Sequence, residues 1–405
     1  MEFKIDINKI YNSFDMATLF SLCALIFFLP ISKASIQIFV SLSILCFFAT
    51  LITKKLQNFH KTELDIPLFI FFICLCLSVI FAVDFRTSLI TLIKKYAEWF
   101  LLFFAIVTTL NTKKRIKIFL IILLLSAISV CFDGIYQQIT GADLFRGHNY
   151  DYKMSASFNH YNNFAGYLGV LLPLTLCLSI CGKDKKNRLI FGFITILLGY
   201  CLIMTLSKGG CSASLLACIL ILPFCFLKLK LKKLPRITLE IGILLILATL
   251  FIIQVTIPKY WISERIPSVA GWNAGRFGIW HYAFLLFKDR PWLGYGPGSF
   301  MTEHIKINPS LLPTYAHNCY LQMLVEIGVI GLASFLLIIA VFLKTTLKHV
   351  LKNRDFLLLG VACGLFAYLL HASIDTHFYS MQLSDFFWIM IGLAIAIAKN
   401  GPIEI

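Results

Sequence analysis

Residues 113–137 read KKRIKIFLIILLLSAISVCFDGIYQ. Four cations open the stretch, and from Ile118 to Phe132 no charged side chain interrupts it. A helix needs about 20 largely apolar residues to cross the hydrocarbon core of a bilayer, and this run supplies them. Similar runs fall near 15–30, 34–53, 66–83, 88–110, 162–181, 188–206, 210–227, 237–256, 317–343, 355–372 and 383–398. With 116–137 they make about 12 spans; the first and fourth fit the template least well.

Composition agrees. Of the 405 residues, 59% are hydrophobic and only 14% charged, and the mean hydropathy is +0.85. A soluble domain carries roughly a quarter charged residues, so lipid must cover much of this apolar surface. The expected fold class is all-α: a polytopic transmembrane helical bundle with one long helical external loop, periplasmic in the family reading given below.

The formal charge of +16 is a topology signal more than a nucleic-acid one. Cations sit in short clusters between apolar runs, with no basic helix or aromatic RNA-binding signature. Lys54, Lys55 and Lys61 form one cluster, Lys113, Lys114, Arg115 and Lys117 the next. Lys183, Lys185, Lys186 and Arg188 follow, then Lys228 to Arg236, then Lys344, Lys348, Lys352 and Arg354. Every second connection is thus basic, which places those connections and both termini in the cytoplasm. The sequence MEFKIDINKIYNSFDM leads into the first span without a small-residue cleavage site, so that span is expected to be retained. Most of the 13 cysteines lie inside apolar runs, where the residue acts as a small hydrophobe. Neither a zinc site nor a disulfide framework is expected.

The chain divides into spans 1–9 over residues 1–256, an external loop over 257–316, and spans 10–12 over 317–405. The loop is the only long polar stretch. Within it, Arg276 to Lys288 has helical character, and Phe277, Trp280, Ala283, Phe284 and Phe287 are spaced for one apolar face. Asp289, Arg290 and Pro291 stop that helix. A second external segment, 138–161, is rich in Asn, Tyr and His and suits the frame of a polar cavity.

Four external signals carry chemistry. In Ser207-Lys208-Gly209-Gly210, Lys208 reads either as an interface lysine reaching for water or as an anion-binding lysine beside glycines that let a ligand approach. In Gly275-Arg276, a cation at a helix start opposes the helix dipole, a conflict relieved if an anion binds there. In Pro291-Trp-Leu-Gly-Tyr-Gly-Pro-Gly-Ser-Phe, Gly294, Gly296 and Gly298 alternate through a turn. In Ala316-His-Asn-Cys, His317 and Asn318 open a span, and an imidazole suits proton transfer at neutral pH. Glu326, deeper in that span, is either functional or a hydrogen-bonding group of the bundle.

Together these elements resemble the O-antigen ligase and polymerase family of bacterial membrane glycosyltransferases. The matching stretches are SKGG at 207–210, GRFGIWHYAFLLFKDRPWLGYGPGSF at 275–300, AHNCYLQMLVEIGVIGL at 316–332 and, around Asn162, NNFAGYL at 162–168. Lys208 stands where the family pattern has arginine, which keeps charge but loses the bidentate fork. The resemblance implies a metal-independent glycan transfer, without a cofactor, from an undecaprenyl-diphosphate carrier to an acceptor hydroxyl. The acceptor would be lipid A–core, or a second lipid-linked repeat in a polymerase. It also implies a bacterial inner membrane protein with a periplasmic site. Arg276 and Lys208 would bind the diphosphate, His317 would take the hydroxyl proton, and Asn162, Asn318, Glu326 and the three glycines would support them. The reading from another class is a solute transporter, for which Pro173, Gly360, Gly364 and Asp375 are mild signals; paired, repeat-related breaks in the spans are lacking.

Overall fold

The computed structural model describes residues 7–53, 61–182, 184–229, 270–307 and 314–403. The expected ninth span (237–256) lies outside the described residues, as do Lys54, Lys55, Lys183 and the cations of 230–236. Among the described residues the regular structure is helical.

Each remaining expected span coincides with helix. They are α1 (Ile7–Phe28), α2 (Lys33–Thr53), α3 (Asp65–Ile80), α4 (Phe85–Thr91) continuing into α5 (Ala97–Thr109), α6 (Lys113–Thr140), α7 (Tyr161–Cys181), α8 (Lys185–Met204) and α9 (Lys208–Leu229). After the external loop's α10 (Ala270–Asp289) and α11 (Phe300–Ile307) come α12 (Cys319–Asn353), α13 (Phe356–Ala372) and α14 (Met381–Asn400). Among the described residues seven helices are long and apolar enough to cross a membrane, and α3, α13 and the Lys208–Pro223 part of α9 are shorter apolar helices.

Local chemistry sets the boundaries. Thr112 accepts a hydrogen bond from Arg115 N at the start of α6, and Gly141 ends that helix in the left-handed region, at φ 90°. Asp84, Asp355 and Asn318 cap α4, α13 and α12 in the same way. At 28 residues, α6 is about 42 Å long, enough to span the hydrocarbon.

Large apolar side chains point outward along the helices, among them Leu45, Ile52, Ile66, Phe69, Phe193 and Ile196, each more than 60% exposed. Such a surface belongs in lipid. The opposite case is α14, in which every residue from Gln382 to Ala398 is buried. It is the central post of the bundle, and Trp388 stacks on Trp99 of α5 at 5.7 Å. Close helix contacts use small residues, as expected inside a membrane: a Cβ on Gly364 of α13 would lie 2.1 Å from the Val170 carbonyl oxygen of α7.

The two ends of the bundle differ. At one, short connections and basic side chains gather: Lys113 Nζ donates to Pro402 O at 3.0 Å, Lys399 Nζ donates to Lys61 O at 2.6 Å, and Arg115 pairs with Asp15. At the other end the long connections meet. Ser157 Oγ donates to Pro30 O, Met154 N to Met204 O, Val83 N to Tyr295 O, and Gln382 Nε2 to Leu29 O.

Candidate active site

The glycine turn is held against a break in α12. Gly328, inside that helix, has φ 67° and ψ −177°, so neighbouring backbone groups lose their helical partners and must find others. The turn supplies them. Tyr295 N donates to Val325 O at 3.0 Å, and Gly296 N to Glu326 O at 2.8 Å. In return, Val329 N donates to Pro291 O at 2.8 Å and Ile330 N to Trp292 O at 3.3 Å. Ser78 Oγ of α3 closes the clasp, donating to Leu293 O at 2.8 Å and to Glu326 O at 3.2 Å. Only glycine fits two of its positions. Gly294 and Gly328 have positive φ, and a Cβ would come within 2.5 Å and 2.1 Å of facing backbone atoms.

Below this clasp is a cavity of about 400 Å³, whose lining includes Gly298, Tyr315, Glu326, Tyr379, Lys94 and Lys95. The lysines sit in a π-helical turn, Leu92–Tyr96, between α4 and α5. Such a one-residue insertion in a helix is a frequent mark of functional sites. Lys95 Nζ lies 3.7 Å from the ring centroid of Tyr379, a cation–π contact. Among the described residues neither lysine is ion-paired. Tyr379 Oη donates to Glu326 Oε2 at 3.2 Å; burial, and then Glu326, holds its phenol protonated, well above the usual tyrosine range. Gln322 Nε2 donates to the other Glu326 oxygen at 3.1 Å, while Gln322 Oε1 accepts from Ala316 N at 3.1 Å. Ala316 O in turn accepts from Trp280 Nε1 of α10 at 2.8 Å. One polar chain therefore runs from the loop helix, past Ala316, through Glu326 to the aromatic seat of Lys95.

The sequence-derived residues distribute unevenly around this chain. Glu326 and Gly298 line the cavity. Gly294 and Gly296 belong to the clasp. Asn318 caps α12 through Tyr320 N and Leu321 N, at 3.1 and 3.0 Å. His317, at φ 49°, lies two residues after the cavity-lining Tyr315. Arg276 lies in α10 one turn before Trp280; its side chain falls outside the described residues.

Lys208 and Asn162 belong to a second cluster, at the ends of α7, α9 and α13. Lys208 is exposed and does not line the cavity. Beneath it, Ser207 Oγ and His371 Nε2 are 3.5 Å apart, and His371 and His377 make an edge-on ring contact at 4.1 Å. Asn162 Nδ2 donates to Asp375 Oδ2, and Cys319 Sγ donates to Asp375 O at 3.1 Å. His377 is fully buried, with neither ring nitrogen hydrogen-bonded among the described residues, and burial pushes its pKa down to about 3.

Three local readings change. The loop helix begins at Ala270 rather than at Arg276, so Arg276 is already one turn inside and opposes no helix terminus. The helix buries Ala283 and Leu286 against Tyr295, Phe300, Ala316 and Val325, with Phe287 packed alongside, while Phe284 is exposed; Ala283 and Phe287 of the expected face hold, and Leu286 takes the place expected for Phe284. The bare faces of Gly209 and Gly210 are taken by His371, Ile374 and Ala165, so these glycines admit neighbouring helices rather than a ligand. Lys94, Lys95, Tyr379 and Gln322 did not emerge from motif reading. For the two lysines the signal was present in the fourth apolar run, where Lys94-Lys95 interrupts a span at a cost of about 2.5–3.5 kcal/mol per mid-membrane charge.

Residues 193–336, from α8 into α12, match the family model for O-Antigen ligase. Curated relatives carry the name "Putative polysaccharide ligase". One, from Rickettsia conorii, is 26% identical over 154 residues, 35% of this chain and 36% of that protein; the chain thus matches about a third of that relative's length. Another, from Rickettsia prowazekii, is 27% identical over 354 residues, 84% of this chain and 80% of the relative. A third, from Rickettsia typhi, is 26% identical over 353 residues with the same coverage. The clasped glycine turn, Glu326 and the opening of α12 all fall inside the region that matches the O-antigen ligase family model.

Proposed function

We propose that this protein is a glycosyltransferase of the bacterial inner membrane that moves a glycan from an undecaprenyl-diphosphate carrier to an acceptor hydroxyl, with lipid A–core as the acceptor. The observation that carries the reading is the cavity itself. Two lysines that form no salt bridge among the described residues share it with Glu326 and Gly298 of the family-matched region. A diphosphate ester needs such a seat. The basic end of the bundle faces the cytoplasm on the positive-inside rule, which puts the cavity end, and α10 with it, in the periplasm.

The chemistry follows from where charge develops. As the anomeric C–O bond breaks, electrons pass to the departing diphosphate. Fixed ammonium groups in a low-dielectric cavity stabilise that charge without having to reorganise. Lys95, held on the Tyr379 ring, takes this role, with the exposed Lys94 beside it at the cavity edge. Arg276 and Lys208 act at the rim, where they attract the anionic headgroup and orient it. His317 accepts the proton of the incoming hydroxyl, and a single displacement inverts the anomeric carbon. Glu326 fixes Tyr379, and Tyr379 fixes Lys95, so the cation is pre-positioned. Asn318 and the clasp set the start of α12 and hold the loop over the cavity.

The test is a reconstitution in liposomes with purified protein, a polyprenyl-diphosphate glycan and either lipid A–core or a second donor molecule. Glycosylated lipid A–core without added metal supports the reading. Chain extension of the donor instead reassigns the acceptor. Absence of both products, from protein that is folded by thermal unfolding, contradicts it.

A further inference from the structure

Glu98 of α5 and Asp385 of α14 meet at the wall of the same cavity. Trp99 and Trp388, one residue after Glu98 and one turn after Asp385, stack at 5.7 Å, so the two carboxyl groups face one another across the α5–α14 contact. Asp385 is 1% exposed, and among the described residues its Oδ2 receives no N–H or O–H donor; Ser384 Oγ lies 3.5 Å from Oδ1. Two carboxylates do not rest against each other while both are charged. Either a proton or a cation must lie between them.

The surroundings favour the proton. The π-turn presents Lys94 and Lys95, α12 presents Glu326, and Tyr315 and Tyr379 complete the titratable lining. Two ammonium groups beside the pair would repel a divalent ion. They also set the charge balance. Lys94 and Lys95 bring two positive charges, against three carboxyl groups, Glu98, Glu326 and Asp385. With one proton shared by the acidic pair, the empty cavity is neutral. A diphosphate entering it brings a surplus of negative charge that the lysines alone do not offset.

We infer that the Glu98–Asp385 pair is a proton site that fills when a diphosphate binds, so that anion and proton enter the cavity together. The bound pair is then two neutral carboxylic acids, Glu326 is the remaining carboxylate, and the lysines are free to face the anion. The inference rests on the reading of the cavity as the diphosphate site. It assigns Glu98 and Asp385 no bond-breaking role. They act through the charge of the cavity, coupling donor affinity to pH.

The experiment is calorimetric titration of the purified full-length protein in detergent with farnesyl diphosphate, in buffers of different ionisation enthalpy. Wild type is expected to take up as much as one proton per ligand, beyond that taken up by Asp385→Asn and Glu98→Gln. The ligand's own titration is common to all three and cancels. Where the pair gains its proton, the wild-type Kd should rise with pH by up to about tenfold per unit relative to the variants. At alkaline pH both variants, whose pair carries one negative charge fewer, should therefore bind more tightly than wild type. Infrared spectra of ligand-free wild type supply a second readout that needs no folded variant: a carboxylic-acid C=O band at neutral pH that sharpens or shifts with ligand. Equal proton uptake in wild type and variants, absence of that band, or Mg²⁺-dependent tightening confined to wild type would each overturn the inference. Binding that is lost in Lys95→Met but shows no pair-dependent proton uptake sinks only this inference. Failure of farnesyl diphosphate to bind, or binding indifferent to Lys95→Met, sinks the reading of the cavity and this inference with it.

Discussion

Two polar clusters occupy the same end of this bundle and are built on opposite principles. The cluster at α7, α9 and α13 is closed. Its glycines are filled by neighbouring side chains, its histidines meet edge to face, and Lys208 points out to the surface. The cluster at the π-turn, α12 and α14 is open. Its glycine turn is locked by backbone hydrogen bonds and its cations face a cavity. Both clusters contain motif residues of the family. The difference teaches that a motif marks where the fold is constrained, and that only local geometry separates a residue that seats a helix from one that meets a ligand.

The sharpest way to break this contrast is to remove one lysine from each side of it. Lys95→Met keeps length and apolar stem while deleting the charge, and transfer by the reconstituted protein should fall about 100- to 1,000-fold. The same change at Lys208, exposed and screened by salt, should cost less than about tenfold. Equal losses would merge the two clusters into one site.

The clasp offers a comparison in stability. Gly328→Ala forces a Cβ to within 2.1 Å of the Trp292 carbonyl oxygen at a positive φ, and neither backbone yields easily. Destabilisation of about 3 kcal/mol or more is expected, read as a fall in the thermal unfolding midpoint in detergent. Gly209→Ala meets the Cδ1 end of Ile374 at 2.4 Å, a side-chain tip that can turn aside, so a loss nearer 1 kcal/mol is expected. A Gly328 variant as stable as wild type would show that the break in α12 is not held by the turn.

The smallest effect concerns acid. His377 is buried as the neutral base, with its pKa lowered from 6.5 to about 3. Between those values the unfolded chain binds a proton that the folded one does not, so stability falls as pH drops from about 6.5 toward about 3 and is unaffected by this residue above that window. His377→Leu should flatten the acid limb of the thermal midpoint against pH. An unchanged slope would mean that the closed cluster admits protons, and so is not closed.

Much of the fold was legible because lipid imposes it. A span must be about 20 apolar residues and must satisfy its own backbone, so each described apolar run coincides with helix to within a few residues, except that the charged start of α1 and the far end of α12 extend well past the apolar core. The start of α10 was missed because Ala270-Gly-Trp-Asn-Ala-Gly carries two glycines and no apolar period. The site was legible only where residues are rare in context: Glu326 stood out as an acid inside an apolar run. Lys94 and Lys95 were equally anomalous, yet read as a weakness of the span rather than as a π-turn, because that geometry depends on what packs around it. Tyr379 and Asp385 come from the far end of the sequence. Their meeting with Lys95 and Glu98 is a tertiary event that no spacing rule reports.

The most direct measurement is a structure of the full-length protein in a lipid nanodisc with a polyprenyl-diphosphate donor bound. The diphosphate is expected in the cavity, with phosphate oxygens within hydrogen-bonding distance of Lys94 or Lys95 and the clasp of Gly294 and Gly328 intact. A diphosphate lodged instead over Lys208 at the start of α9, with the π-turn cavity empty, would contradict the account.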